Sequence, residues 1–315
     1  MLAKRIKALF GAIDLSKREQ EIAQKVLAEE RITIEDGLFL FEEAKLHYLG
    51  VLASFVKKRK SKNKVFFNKN IHIEPTNICI YNCKFCSFKR KFGDDGAWVF
   101  SIEEMLKKAQ KYKDSDLTEV HITGGVHPHY DVNNYCTLIC KIKKVLPNVH
   151  IKAFTAVELD FMIKKARMTL EDGLKKLIEC GLDSIPGGGA EIFDEKIRKQ
   201  ICHDKSDSDL WLKIHKTAHK LGISSNATIL YGHVETYEHR IDHLNRLRNL
   251  QDETNGFNSF IPLKFRNFNN KLSHIPEVSV VEDMRNYAVS RIFLDNIPHL
   301  KAYWVMLGKQ FAQMS

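Results

Sequence analysis

Apolar and polar positions alternate in two regimes along this chain. In the first sixty residues they recur at helical spacing. Ser16-Lys-Arg-Glu19 forms a capping box ahead of an amphipathic run to Glu30. Thr33 caps a second run carrying Leu38, Leu46, Leu49 and Leu52, and Lys57 to Lys64 reads as a basic connection. From about residue 70 the pattern becomes strand, loop and helix, repeated. Apolar strand segments are expected at 71–74, 119–123, 150–156, 182–185, 224–230, 259–263 and 301–305. Helix starts are marked between them by Ser101-Ile-Glu-Glu104, and by Thr169 ahead of Glu171 and Asp172. Strands alternating with helices predict a parallel sheet. Seven such units fit one α/β chain built as a TIM-type β/α barrel better than a two-domain dinucleotide-binding fold. The expected organisation is a helical extension over 1–64, packed on a barrel over 65–315.

Polar and glycine-rich segments follow the strands: Glu74-Pro-Thr-Asn77, Thr123-Gly-Gly125, Thr155-Ala-Val-Glu158, Pro186-Gly-Gly-Gly-Ala-Glu191 and Tyr231-Gly-His233. Ordinary turns account for the glycines. Charged and polar residues repeated at the same end of successive strands point instead to the face where barrels build active sites.

Composition narrows the class. The 315 residues are 44% hydrophobic and 28% charged, which excludes a disordered chain. The longest apolar stretch, Tyr48 to Val56, falls far short of the about 20 residues a membrane span needs. Residues 1–10 mix basic and apolar positions without a secretory pattern, so a cytoplasmic location is expected. The net charge of +10 raises nucleic acid as a partner, but the lysine clusters fall on helix ends and outer faces with no nucleic-acid motif. No nucleic-acid partner is expected, and anionic small substrates suit the charge.

Seven cysteines in a cytosolic chain read as thiols or metal ligands. Cys79-Ile-Tyr-Asn-Cys83-Lys-Phe-Cys86 follows the first barrel strand and can bring three thiolates to one metal centre. Structural zinc would require a fourth Cys or His, which the motif itself does not supply. A cluster held by three cysteines, with one iron open, is the other solution. Cys136, Cys140, Cys180 and Cys202 are expected as small core residues.

The Cys-x3-Cys-x2-Cys spacing, with aromatic Phe85 before the last cysteine, resembles the radical S-adenosylmethionine (SAM) enzymes. Further segments are similar to the aminofutalosine synthase family of menaquinone biosynthesis by the futalosine pathway. They include His72 to Cys79, His121 to His127, Ile151 to Glu158, Gly181 to Glu191, Ser225 to His233, Phe260 to Arg266 and Lys301 to Trp304. Sister families, dehypoxanthine futalosine cyclase among them, share part of this set. Members of the family continue past Gln313-Met-Ser315, so the barrel is expected to lack its last strand. A truncated, non-catalytic Fe–S or zinc protein is the alternative from another class.

The resemblance implies a transferase. A [4Fe-4S] cluster on Cys79, Cys83 and Cys86 would bind and reductively cleave SAM. The 5′-deoxyadenosyl radical would then add to 3-[(1-carboxyvinyl)oxy]benzoate, giving 6-amino-6-deoxyfutalosine. A low-potential electron donor of flavodoxin or ferredoxin type is implied as partner. Gly124 and Gly125 match the family motif that approaches the methionyl amine, where a missing Cβ permits close contact. Glu158 is a candidate for the SAM ribose or amine, and Phe85 and Ile261 for adenine. Arg266 can fork onto a substrate carboxylate. Arg198 and Arg291 are weaker candidates for the same role. His233 is expected to bond the substrate or carry a proton, and Glu191 to contact SAM or substrate. Tyr303 and Trp304 read as barrel filling.

Overall fold

The computed structural model describes residues 14–315 together with Ile6 and Phe10. Helices α1 (Lys17–Ala28), α2 (Ile34–Glu42) and α3 (Leu46–Ser61) lead into β1 (Asn70–Ile73). Then follow α4 (Ile102–Gln110), β2 (Glu119–Ile122), α5 (Val132–Val145), β3 (His150–Ala153), α6 (Ala156–Lys165), α7 (Leu170–Glu179) and β4 (Ser184–Ile185). The second half runs through α8 (Glu195–Cys202), α9 (Ser208–Lys220), β5 (Ser224–Tyr231), α10 (Tyr237–Thr254), β6 (Phe257–Lys264), α11 (Val280–Phe293) and β7 (His299–Leu300). Short helices α12 (Trp304–Leu307) and α13 (Lys309–Met314) close it.

The seven strands pair in sequence order, and every pair is parallel. The alternation predicts this parallel β/α barrel, and the seven strands form part of one. Among the described residues β1 and β7 are its two edges. Ile71, Ile73, Val120, Ile122 and Ile151 point outward and are buried under the helices. The alternate positions, His72, His121 and Lys152, share one register and face the barrel interior.

The capping boxes at Ser16, Thr33, Ser101 and Thr155 all form. The single helical run expected from Thr33 to Leu52 is instead two helices, because the chain turns at residues 43–45. The Arg285 guanidinium donates to the carbonyls of Leu40 (3.2 Å) and Ala44 (2.6 Å), satisfying acceptors that the break releases. The basic stretch expected as a connection is helical as far as Ser61. Phe55 and Val56 are buried, and Lys58, Arg59 and Lys60 lie in the last turn, where the helix dipole favours cations.

These leading helices share the barrel's own core. Phe41 stacks on Tyr237 at 4.9 Å, and a Cβ on Gly37 would meet the Ile241 side chain at 2.7 Å and Phe293 at 2.8 Å.

The last strand also differs from expectation. It occupies His299–Leu300, and one further bond, Lys301 N–H to Phe260 O (2.9 Å), ends the ladder. Trp304 starts α12 and is 54% exposed, so it does not fill the barrel. Among the described residues no helix is long and apolar enough to cross a membrane.

Candidate active site

The loop after β1 carries the three cysteines, and its shape is set by side chains outside the motif. Thr76 Oγ1 donates to Trp98 O (2.7 Å) and accepts from Ile78 N–H (2.9 Å). The Asn77 amide bridges Gly96 O and Trp98 N–H, each at 2.9 Å. Two distant segments then clamp the loop. Asn82 N–H donates to Asp204 Oδ2 (2.9 Å), Lys84 N–H to Ile201 O (2.8 Å), and Lys271 N–H to Lys84 O (2.8 Å).

The glycine pair after β2 supports this loop from below. Gly125 N–H donates to Thr76 O at 2.7 Å. A Cβ on Gly125 would lie 2.3 Å from Ile78 O, and one on Gly124 would lie 2.7 Å from Thr76 O. The missing Cβ atoms therefore admit the cysteine loop's own backbone. Glu158 locks the same turn. Its carboxylate accepts from Thr123 Oγ1 (2.9 Å), Gly124 N–H (3.1 Å), Thr155 N–H (2.8 Å) and Thr155 Oγ1 (2.7 Å). Burial pushes its carboxyl above the usual range in spite of those donors. Three of these bonds fall on Oε2, and Oε1 takes the one from Gly124 N–H.

All three cysteines are free thiols. Cys83 is buried, and Cys79 and Cys86 are half-buried. Burial raises the Cys79 thiol and pushes Cys83 up to about 12, with the Lys205 ammonium opposing it. Lys205 is the residue that sequence reasoning missed. Its ammonium is 2.6 Å from Glu191 Oε1 and 5.3 Å from the centre of the Phe85 ring. Glu191 sits at φ 44° in the glycine-rich loop after β4, which turns its carboxylate toward Lys205. Burial works against the Glu191 carboxylate, but Lys205 outweighs it and holds the carboxyl below its ordinary range. The sole sequence signal for Lys205 was one more lysine in a charged loop.

A cleft of about 800 Å³ opens beside this group, lined by Ile80, Tyr81, Asp160, Lys164, Lys205 and Ser206 among others.

Two other expected residues have partners of their own. The His233 side chain is fully buried, with Nε2 3.0 Å from Leu230 O and Nδ1 3.2 Å from Glu235 Oε2. Burial lowers its pKa, and Nδ1 has no hydrogen-bond partner among the described residues. Arg266 points outward, with its side chain 52% exposed and paired to Glu277 at 3.1 Å. It does not reach the barrel interior. Arg198 and Arg291 are buried and spend their guanidinium groups on backbone carbonyls. Ile261 pairs with Thr228 on the inward face of β6. Of the four cysteines expected in the core, Cys136 and Cys202 are buried, while Cys140 and Cys180 are half-buried.

Three sulfurs on one loop, beside a buried cation that offsets thiolate charge, suit a cluster in which each cysteine binds its own iron. Among the described residues no three His, Cys, Asp or Glu side chains gather around a single point, as mononuclear zinc requires. His72, the histidine nearest the motif in sequence, is turned instead toward His121, with ring centres 4.7 Å apart.

Residues 73–247 match the model of the radical SAM superfamily. The chain belongs to that superfamily. Residues 254–315 match the CofH/MqnC C-terminal region. An aminodeoxyfutalosine synthase of Thermus thermophilus is 45% identical over 298 residues, covering 93% of this chain and 80% of its own. A cyclic dehypoxanthine futalosine synthase of Streptomyces coelicolor is 34% identical over 300 residues, 94% of this chain and 75% of its own. The solved structure of methylornithine synthase superposes with a TM-score of 0.72 at 19% identity, covering 92% of this chain and 83% of that one, and so supports the fold. This radical SAM enzyme uses a [4Fe-4S] cluster and SAM, and its cysteine loop has the donor set for that cluster.

Proposed function

We propose that this radical SAM enzyme is an aminofutalosine synthase. It joins the 5′-deoxyadenosyl group of SAM to 3-[(1-carboxyvinyl)oxy]benzoate, with loss of the carboxylate carbon, to give 6-amino-6-deoxyfutalosine. The observation that carries this reading is the near full-length similarity at 45% identity to an aminodeoxyfutalosine synthase, against 34% to the cyclase.

In this reading Cys79, Cys83 and Cys86 hold the cluster. Reductive cleavage of SAM is the chemistry the cluster supplies when bound. Lys205, held by Glu191, places a positive charge against Cys83 and offsets the thiolate charge. Gly124 and Gly125 bring the cysteine loop down onto the end of β2, and Glu158 fixes that turn. Phe85, on the loop, and Ile261, on the inward face of β6, offer apolar surface for adenine. The division at residue 64, a low-potential flavodoxin- or ferredoxin-type donor and a cytoplasmic location belong to the same proposal.

The test is an anaerobic assay of reconstituted, reduced protein with SAM and each candidate substrate, read by mass spectrometry. Aminodeoxyfutalosine from the carboxyvinyl ether is the expected product. Free 5′-deoxyadenosine as the main product, or turnover of dehypoxanthine futalosine alone, overturns the reading.

A further inference from the structure

The interior of this barrel is polar, and its polar side chains fall into two layers. In the lower layer every group is matched. The Glu119 carboxylate accepts from Lys152 Nζ (2.6 Å), Asn70 Nδ2 (3.1 Å) and Asn68 Nδ2 (3.2 Å), and His150 Nε2 lies 2.6 Å from Ser184 Oγ. A network satisfied in this way is a floor.

The layer above is not matched. His72 and His121 are paired in register, and their rings lie 4.7 Å apart. His121 Nε2 is buried with no hydrogen-bond partner among the described residues. Across the seam between the edge strands stands Lys301, fixed by its own N–H on Phe260 O. Phe66, ahead of β1, packs against His299 of β7 at 5.0 Å. Among the described residues no carboxylate lies within ion-pair distance of the Lys301 ammonium. The charged groups that act on it are Lys152, already committed to Glu119, and Glu119 itself. A half-buried cation and an orphaned imidazole nitrogen turned into one interior space are costly unless a ligand satisfies them.

We propose that Lys301, with His121 and His72, forms the subsite for one carboxylate of the substrate, the one on the aromatic ring. The ligand class follows from the donors. One ammonium and neutral imidazole N–H groups suit a single planar anion, and burial keeps His121 neutral, with its pKa lowered to about 3. The choice of carboxylate follows from depth. His121 precedes Gly124 by three residues, roughly 10 Å along an extended strand. Chemistry occurs at the cysteine loop above the glycines, so the deep subsite receives the carboxylate remote from the reacting vinyl carbon. Glu74, two residues after His72 on the same strand face, carries the charge that acts most strongly on His72. The choice of ring carboxylate rests on the substrate proposed above; the carboxylate subsite itself rests on the interior geometry.

Calorimetric titration of the reconstituted, SAM-loaded and unreduced protein tests this without turnover. The probes are benzoate, 3-(vinyloxy)benzoate and 2-phenoxyacrylate, which carry the ring carboxylate, the ring carboxylate and the vinyl carboxylate respectively. Lys301→Met is expected to weaken both benzoates by about 10- to 100-fold, the range for losing a hydrogen bond to a charged group. It should leave 2-phenoxyacrylate within threefold, and Lys301→Arg should retain most of the affinity. His121→Phe should weaken the benzoates as well, and circular dichroism verifies that each variant is folded. Equal loss for all three probes, or no loss for the benzoates, overturns the subsite. Benzoate binding does not depend on which reaction the enzyme performs. Failure of the product assay with benzoate binding still dependent on Lys301 would therefore reject the proposed reaction and keep the carboxylate subsite.

Discussion

Replacing Glu191 with Gln in the cluster-free protein, where Cys83 is a neutral thiol, would leave the Lys205 ammonium buried without its carboxylate partner, and the structure sets the size of the effect. The two groups are 2.6 Å apart, and their side chains are only 12% (Lys205) and 10% (Glu191) exposed. At an effective dielectric of about 20 the gross attraction at that distance is about 6 kcal/mol. Much of it offsets the desolvation of both ions, so the pair adds little net stability. Breaking it is another matter, because one charge remains buried, and that costs about 3–5 kcal/mol. Gln still accepts a hydrogen bond, which places the expected loss near about 3 kcal/mol. In urea, with a slope near about 3 kcal/mol/M, the midpoint falls by about 1 M. Trp211 is fully buried and its Nε1–H donates to Gly188 O (3.3 Å) in the same glycine-rich loop, so its fluorescence reports the transition. Adding Lys205→Met to the Glu191→Gln protein should recover part of the loss, giving a coupling energy above about 1 kcal/mol. A loss under about 1 kcal/mol, or two substitutions that simply add, would refute the buried-pair argument.

Other outcomes follow from contacts already described. Gly125→Ala must push the Ile78 carbonyl away, since its Cβ would lie 2.3 Å from that oxygen. Iron per chain after anaerobic reconstitution should then fall by more than half. Gly50→Ala, where nothing lies within 4 Å, should leave iron unchanged and stabilise α3 by about 1 kcal/mol. Burial lowers the pKa of His219 to about 4 and of His243 to about 3. The unfolded chain, with histidines near 6.5, therefore binds more protons than the folded one between about pH 6.5 and 4. Stability should fall as pH drops through that window, by about 1 kcal/mol per histidine between pH 7 and 5.5. Urea midpoints that do not change over that range would contradict it.

The cysteine motif and the strand–helix cycle were legible because each is local. Three thiols on one loop need no distant partner to be recognised, and capping boxes such as Ser101 with Glu104 involve residues only three apart. The surroundings of residues named for their place after a strand were less legible. Arg266 and His233 follow barrel strands as expected, yet Arg266 turns out to Glu277, and His233 is buried with its Nε2 on Leu230 O. Strand position places a residue at an end of the barrel but does not decide which way its side chain leaves the loop. The polar interior had a signal in the alternation of Asn70-Ile-His72-Ile and Glu119-Val-His121-Ile. Read as apolar strands, these segments hid it.

By itself, then, the sequence determined the parallel α/β order, the helix starts and the three-cysteine loop, all encoded over a few residues by periodicity, capping and spacing. The tertiary structure decided what surrounds that loop. Lys205 reaches Cys83 from 122 residues further along the chain, and Lys301 meets His72 and His121 only when β7 is brought round toward β1. The physical reason is that charge compensation and desolvation depend on distance in space, and one chain position carries no record of which distant partner folding will set beside it.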